Sequence, residues 1–357
     1  MSRLDSPDRL RDLDPGSMLR QVADLATQLA HAGTRMPQMR VAIEALDLQR
    51  PPTELLVCGM GGSAIGGDYA AAWGASRGAR VQVHRNYGLP GWVSAQTLVL
   101  FCSYSGDTEE TLSAFAAVPA HVPHLCLTSG GELARRAAAA GVPVLSLAAG
   151  LQPRAALGHT LGAILWVLHC AKLLPASPQP AIEAAARQLE QLASQLGPET
   201  PAVQNRAKQL AAMAADKVIW ICTGSGLLEP VGRRWKAQLN ENAKVMALAS
   251  ALPEMHHNEI MGPDAYALGG KVQLLLLADP QDPAPIRRRL QATADLLRPV
   301  LAGVEWLEPE APDDLARMLE ITMLADYTSV YLAFLRQVDP SPVERIQELK
   351  ARLRGPG

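Results

Sequence analysis

Short apolar runs recur along the chain, separated by polar, glycine-rich turns and by stretches with helical spacing. ELLVC (54–58), ARVQVH (79–84), TLVLFC (97–102), HLCLT (124–128) and PVLSL (143–147) read as strands. An alanine-rich stretch to about Ser76, a segment from Thr108 to Val118 and a short one from Glu132 read as the helices between them. Such alternation predicts an α/β fold with a largely parallel sheet. The first ~50 residues have helical spacing and end at Pro51-Pro52, and residues 153–172 form a longer apolar helix.

LLPASPQP (173–180) reads as a linker, followed by helices. The pattern then restarts. KVIWICTGSG (217–226) repeats the strand-to-glycine transition of ELLVCGMGGS; a helix is expected from about Glu229 to Leu248, and strands KVQLLLLA (271–278) and GVEWLE (303–308) alternate with helices at 284–298 and 312–336. The expected organisation is N-terminal helices at 1–50 packed on the core, a first α/β domain at 51–172, a linker and helix at 173–199, and a second α/β domain with C-terminal helices at 200–357. The two domains share a plan, as after an old duplication. The length, 357 residues, agrees with two cores better than one.

Composition narrows the partners. Apolar residues make up 48% and charged residues 19%, a globular balance, with a net charge of -2 and no dense basic stripe. Nucleic acid and anionic membranes are therefore not expected as partners. The first residues, MSRLDSPDRLRDLD, lack a signal-peptide apolar core, and no apolar run is expected to reach the ~18 residues of a transmembrane helix. Five cysteines without CxxC spacing read as reduced core residues. A cytoplasmic protein is expected.

The chemistry concentrates at strand ends. TLVLFC runs directly into SYSGDTEET (103–111), where Ser103, Ser105 and Thr108 supply neutral hydroxyl donors and Gly106 permits close backbone approach. A strand end leading into a helix presents free N–H groups and the positive end of the helix dipole, an anion site. Many donors with little positive charge suit reversible binding of a phosphate monoester. The simpler alternative is a helix cap at Asp107 or Thr108, with Glu109 and Glu110 placed well on the dipole. GMGGSAIGG (59–67) is a second glycine-rich turn. It matches neither the dinucleotide fingerprint nor the P-loop, so no NAD or ATP cofactor is expected. Gly62 and Ser63 are expected to line the same pocket as the hydroxyls.

Taken together, CGMGGSAIGGD, RNYGLP, SYSGDTEET, PRAALGH, NENAK and MHHNE resemble the bifunctional phosphoglucose/phosphomannose isomerase family, a branch of the sugar-isomerase (SIS) domain proteins. The resemblance spans about Gly59 to Lys350. It implies two SIS domains (flavodoxin-like, doubly wound), a homodimer, no metal, and reversible aldose–ketose isomerisation of glucose 6-phosphate, and of mannose 6-phosphate, to fructose 6-phosphate through a cis-enediol(ate). That chemistry needs a base over C1 and C2, a cation near the developing oxyanion, and an acid–base pair for ring opening.

The resemblance places the base at Glu241 of NENAK, the ring-opening histidine at His257 rather than His256, contributed by the neighbouring subunit, the enediolate-stabilising cation at Arg154, and a lysine near the ring oxygen at Lys350. From the residues alone, Glu241 could equally be a helix-face carboxylate paired with Lys244, His257 an interface residue, and Arg154 and Lys350 surface charges. Ser341, in DPSP, stands where the family pattern leads one to expect threonine. His84, His159 and Asn86, near strand ends or helix starts, are expected either to support the site residues or to be structural. The alternative function is a non-catalytic phosphosugar-sensing SIS protein, which would need the hydroxyls but neither Glu241 nor His257. An SIS amidotransferase would need an N-terminal cysteine nucleophile, which the sequence lacks.

Overall fold

The computed structural model describes residues 3–264 and 269–353. Residues 1–2, 265–268 and 354–357, which the expected N-terminal and second α/β units include, lie outside that description. Four helices come first: α1 (Pro7–Asp12), α2 (Met18–Ala23), α3 (Leu25–Thr34) and α4 (Met36–Glu44). The first sheet and its helices follow as β1 (Glu54–Cys58), α5 (Gly61–Ala75), β2 (Val81–His84), β3 (Thr97–Cys102), α6 (Glu109–Ala116), β4 (His124–Thr128), α7 (Gly131–Ala139) and β5 (Val144–Ser146). A single 3-10 turn, Pro153–Ala155, opens α8 (Leu157–Cys170); then come α9 (Gln179–Leu196) and α10 (Arg206–Ala214). The second set is β6 (Val218–Gly224), α11 (Glu229–Gln238), β7 (Ala247–Leu252), β8 (Val272–Leu277), α12 (Ala284–Leu297), β9 (Gly303–Leu307), α13 (Asp314–Leu335) and α14 (Glu344–Leu353).

Every strand pairing is parallel. The first sheet has the order β2-β1-β3-β4-β5 and the second β7-β6-β8-β9. The first is the flavodoxin-like doubly wound order, and the second repeats its first four positions. The expected α/β fold with two parallel, doubly wound sheets and helical extensions is what the chain adopts.

Period-2 alternation decides which residues meet. Leu55, Val57, Leu98 and Leu100 of the first sheet join Ile219, Ile221, Leu275 and Leu277 of the second in one continuous core, together with residues of α3, α8 and α13. The intervening residues Leu56, Cys58, Val99 and Phe101 pack outward under α6 and α7, and Trp220, Cys222, Leu274 and Leu276 pack under α12. All six residues of β3 are buried, as a central strand covered on both faces requires. The five cysteines are free, four of them buried. The central layer holds the two sheets in fixed relation, which is what a site drawing on both needs.

Two expectations need correction. The helix foreseen from Glu229 to Leu248 ends at Gln238; Leu239–Ala243 is a π turn, Lys244 takes a left-handed conformation at φ 56, and Ala247–Leu252 is β7. ALASAL has no β-branched or aromatic residue, so its propensity favours helix, but pairing with β6 overrides it. The second correction concerns α13, which is long and apolar enough to cross a membrane by length and composition. It is a core helix with 83% of its apolar window buried, packed against α9, α10 and α11.

Candidate active site

The ends of β1 and β3 lie side by side where the winding of the first sheet reverses, the crevice in which open α/β sheets bind ligands. Two loops meet there. The backbone N–H of Tyr104 donates to Ser63 Oγ at 3.0 Å, tying the hydroxyl loop to the first turn of α5. Ser103 Oγ accepts the N–H of Gly106 at 3.1 Å and lies 2.9 Å from Thr108 Oγ1, and Ser105 Oγ accepts the N–H of Asp107 at 3.2 Å. Gly106 has φ 75, and a side chain there would strike the Gly130 carbonyl, so only glycine closes this turn.

The capping alternative for this loop holds in part: Thr108 is the N-cap residue of α6 and Glu109 and Glu110 lie in its first turn, without a side-chain capping bond. Asp107 Oδ1 instead accepts the N–H of Glu132 at 2.9 Å, in the first turn of α7. The hydroxyls divide by exposure: Ser63 and Ser103 are buried and shape the loop, whereas Ser105 is exposed and Thr108 half-buried beside the start of α6.

The crevice reaches the second sheet through Gly62. A methyl group at Gly62 would lie 2.6 Å from the Pro153 carbonyl oxygen and 3.1 Å from Arg154 Cα, so the absence of a side chain lets the Pro153–Ala155 turn sit against the start of α5. Arg154 is buried and uses its guanidinium fully. Nε donates to Asn242 Oδ1 at 2.7 Å, Nη2 to the carbonyls of Pro340 and Ser341 at 2.8 and 2.9 Å, and Nη1 to Gln152 Oε1 at 3.3 Å and Glu241 Oε2 at 3.5 Å. Five partners match the five N–H bonds of a guanidinium, so its aim is fixed. Burial pushes Arg154 below its ordinary value, with Glu241 opposing the shift. An arginine stays charged through any such shift.

Glu241 and Asn242 lie in the π turn. The extra residue of a π turn rotates neighbouring side chains away from their α-helical directions, and such turns are frequent at functional sites. Here it sends Asn242 into the interior, fully buried, and leaves the Glu241 side chain 29% accessible beside Arg154. The alternative pairing of Glu241 with Lys244 does not occur through the carboxylate. Lys244 Nζ donates to the backbone carbonyls of Glu241, Asp339 and Pro342 at 2.6, 3.1 and 2.9 Å. Burial and Arg154 lower its proton affinity. Ser341 contributes its carbonyl to Arg154, while its buried hydroxyl makes no hydrogen bond among the described residues.

The hydrogen bonds that join Arg154, Glu241 and Asn242 do not extend to His257 or Lys350 among the described residues. His257 ends a short 3-10 helix, Glu254–His257, after β7. Its neighbour His256 is held on α12 by Thr293 Oγ1 at 2.8 Å and by Arg289 Nη1, which donates to Nδ1 at 3.0 Å. His257 is exposed and makes no hydrogen bond to another described residue. Lys350 is exposed on α14, a helix with no buried residue. His84 bonds the Gly88 carbonyl at 3.0 Å and Asn86 the N–H of Tyr87 at 2.8 Å, local roles within their loop.

At the second sheet's equivalent crevice, the segment after β8 carries Asp279 and Asp282 in place of hydroxyls. Arg317 Nε donates to Asp279 at 3.0 Å, and burial pushes the Asp282 carboxyl up to about 6. The hydroxyl loop of the first sheet has no counterpart there, so the two halves differ in chemistry. Sequence reasoning overlooked Asn242, although it lies inside NENAK, and it overlooked Arg234 and Asp326, whose only signal was a charge on an apolar helix face. Among the described residues no three His, Cys, Asp or Glu side chains gather as metal ligands.

Residues 203–353 match the family model described as the bacterial phospho-glucose isomerase C-terminal SIS domain. The chain is 35% identical over 340 residues to a bifunctional phosphoglucose/phosphomannose isomerase of Caldicellulosiruptor bescii, covering 94% of this chain and 98% of that one. It is 34% identical to a protein of the same name from Aquifex aeolicus, covering 85% and 91%. A hypothetical protein of Thermus thermophilus shares the fold with a TM-score of 0.74 at 17% identity, covering 98% and 94%. The similarity to the first two relatives runs through both sheets and the crevice between them, and on that basis the chain belongs to the bifunctional phosphoglucose/phosphomannose isomerase family.

Proposed function

We propose that the protein catalyses the reversible isomerisation of glucose 6-phosphate and mannose 6-phosphate to fructose 6-phosphate, without a metal, in the cytoplasm. The observation that carries this reading is the meeting of Arg154 and Glu241 beside Gly62, at the edge of the hydroxyl loop. The first α/β unit, 51–172, holds the phosphate at the uncapped start of α6, with Ser105 and Thr108 donating to its oxygens. Ser63 and Ser103 keep the loop in shape, and Gly62 lets the turn that carries Arg154 sit against the start of α5 beside it. The second unit, 200–357, brings the carboxylate.

Glu241 takes the C2 proton of the aldose. The electrons of that C–H bond form C1=C2, and charge develops on the enediol oxygens, where the Arg154 guanidinium stabilises it. Return of that proton to C1, with transfer of the O2 proton to O1, leaves the ketose. Ring opening falls to His257 of the neighbouring subunit in a homodimer, with Lys350 near the ring oxygen. The freedom of His257 within its own subunit is consistent with that role, and a histidine can act as acid and base near pH 7.

Coupled assays with both aldose phosphates, run with and without EDTA, test the reading. Turnover that persists in EDTA supports it. Binding of the phosphosugars without turnover leaves a sensor, and activity lost to EDTA and restored by zinc removes the metal-free claim. Sedimentation or light scattering reading a monomer would remove the shared histidine.

A further inference from the structure

Apart from one bond to Gln152, the side-chain partners of Arg154 lie outside the first α/β unit. Its backbone carbonyl accepts Arg234 Nη2 at 2.8 Å, and the same nitrogen donates to Asp326 Oδ2 at 2.6 Å. Its Nε donates to Asn242 Oδ1, whose amide donates to Ser329 Oγ at 2.9 Å. Ser329 Oγ in turn donates to the Asp326 carbonyl at 2.7 Å. Asp326 and Ser329 are one turn apart on α13 and face the same way. Every group in this set is buried.

A buried ion pair is a poor way to gain stability, because desolvation offsets the attraction and a packed apolar pair of similar volume would serve as well or better. An apolar pair could not bond the Arg154 carbonyl. The two chains of contact also end on two parts of Arg154 that help to set its aim, the backbone and Nε. On the second side they hold Asn242, the next residue after Glu241.

We infer that Asp326–Arg234 and Ser329–Asn242 form a positioning frame on α13 that sets Arg154 against Glu241, so that the cation from one sheet and the carboxylate from the other keep a working separation. This inference rests on the isomerase reading. None of the four residues touches the reacting atoms; each acts through Arg154 or Glu241.

The test uses Ser329→Ala, which removes one neutral contact, and Asp326→Asn, which discharges the pair. In the full-length protein kcat is expected to fall, by up to about 10²-fold for Asp326→Asn as misplacement of catalytic groups does, while KM changes little because the phosphate loop is untouched. In an Arg154→Lys background Ser329→Ala should cost less kcat than in the wild type, since the guanidinium it positions is gone. Losses that simply add in that background, or a fall in melting temperature with kcat intact, would overturn the inference. Should Asp326→Asn not fold, Ser329→Ala and its double variant decide alone. A wild-type protein without turnover would sink the isomerase reading instead, and crystal structures would then decide: Arg154 still bonded to Asn242 and beside Glu241 in Ser329→Ala overturns the frame, and a displaced guanidinium supports it.

Discussion

Arg154 and Glu241 are separated by 87 positions in the chain, yet Nη1 of the one stands 3.5 Å from Oε2 of the other. The arginine is 4% accessible and the glutamate 29%, so the pair opens on the carboxylate side only. In the proposed reaction a base must reach its substrate and a stabilising cation must not drift from it, and the unequal burial suits both roles.

Replacing the carboxylate tests the proton transfer. Glu241→Gln preserves shape and hydrogen bonding to Arg154 but cannot accept a proton. Loss of kcat by about 10²–10⁴-fold is expected, the usual contribution of a positioned acid–base group. Calorimetry should find sugar-phosphate affinity nearly unchanged. Near-wild-type turnover would move the base elsewhere.

The close approach at Gly62 admits a steric test. Gly62→Ala places a methyl group 2.6 Å from the Pro153 carbonyl, against backbone that cannot swing aside. Overpacking of this kind costs about 1–3 kcal/mol. Melting temperature and kcat should both drop, because the turn that carries Arg154 must shift. Gly91→Ala, where a methyl meets nothing within 4 Å, is the matched control and should be silent. Equal behaviour of the two variants would contradict the geometry.

The division of the hydroxyls predicts two different outcomes. Ser105→Ala and Thr108→Val remove accessible donors, and each should raise KM with little change in melting temperature; a donor to a charged group contributes ~1.5–3 kcal/mol. Ser103→Ala should instead lower the melting temperature, because its Oγ receives the Gly106 N–H inside the protein. If steady-state kinetics find KM unmoved in the first two, the phosphate binds away from α6.

Acid sensitivity should trace in part to His159. Burial, with His31 and Arg35 adding to it, pushes this imidazole down to about 4 from 6.5. The unfolded chain therefore binds a proton between those values while the folded protein does not. That contribution to stability is complete above pH 6.5 and is lost as pH falls from 6.5 toward 4. The wild-type melting temperature should decline across this window more steeply than that of His159→Gln. Superimposable pH profiles would assign the acid lability to other groups.

How much of this was legible follows from what each feature depends on. TLVLFC was readable as a buried central strand because every residue in it is apolar or β-compatible, and SYSGDTEET as a strand-to-helix turn because short polar residues and a glycine follow the strand directly. ALASAL was not readable as β7, since alanine and leucine favour helix and only the partner strand β6 makes them extended. Nor did the spacing of NENAK reveal a π turn: five residues fit an α-helix equally well until Lys244 turns left-handed and Asn242 finds Ser329.

By itself the sequence determined the alternation of strands and helices, the repeated plan and the hydroxyl loop, because these rest on periodicity, propensity and residues adjacent in the chain. Only the tertiary structure decided that Lys244 bonds carbonyls rather than the Glu241 carboxylate, that Ser63 and Ser103 face inward while Ser105 faces out, and that Arg154 takes its aim from α13. Those outcomes depend on which groups are brought together across tens of residues and how much water is left around them, and burial and long-range hydrogen bonds exist only once the two sheets have closed on their common core.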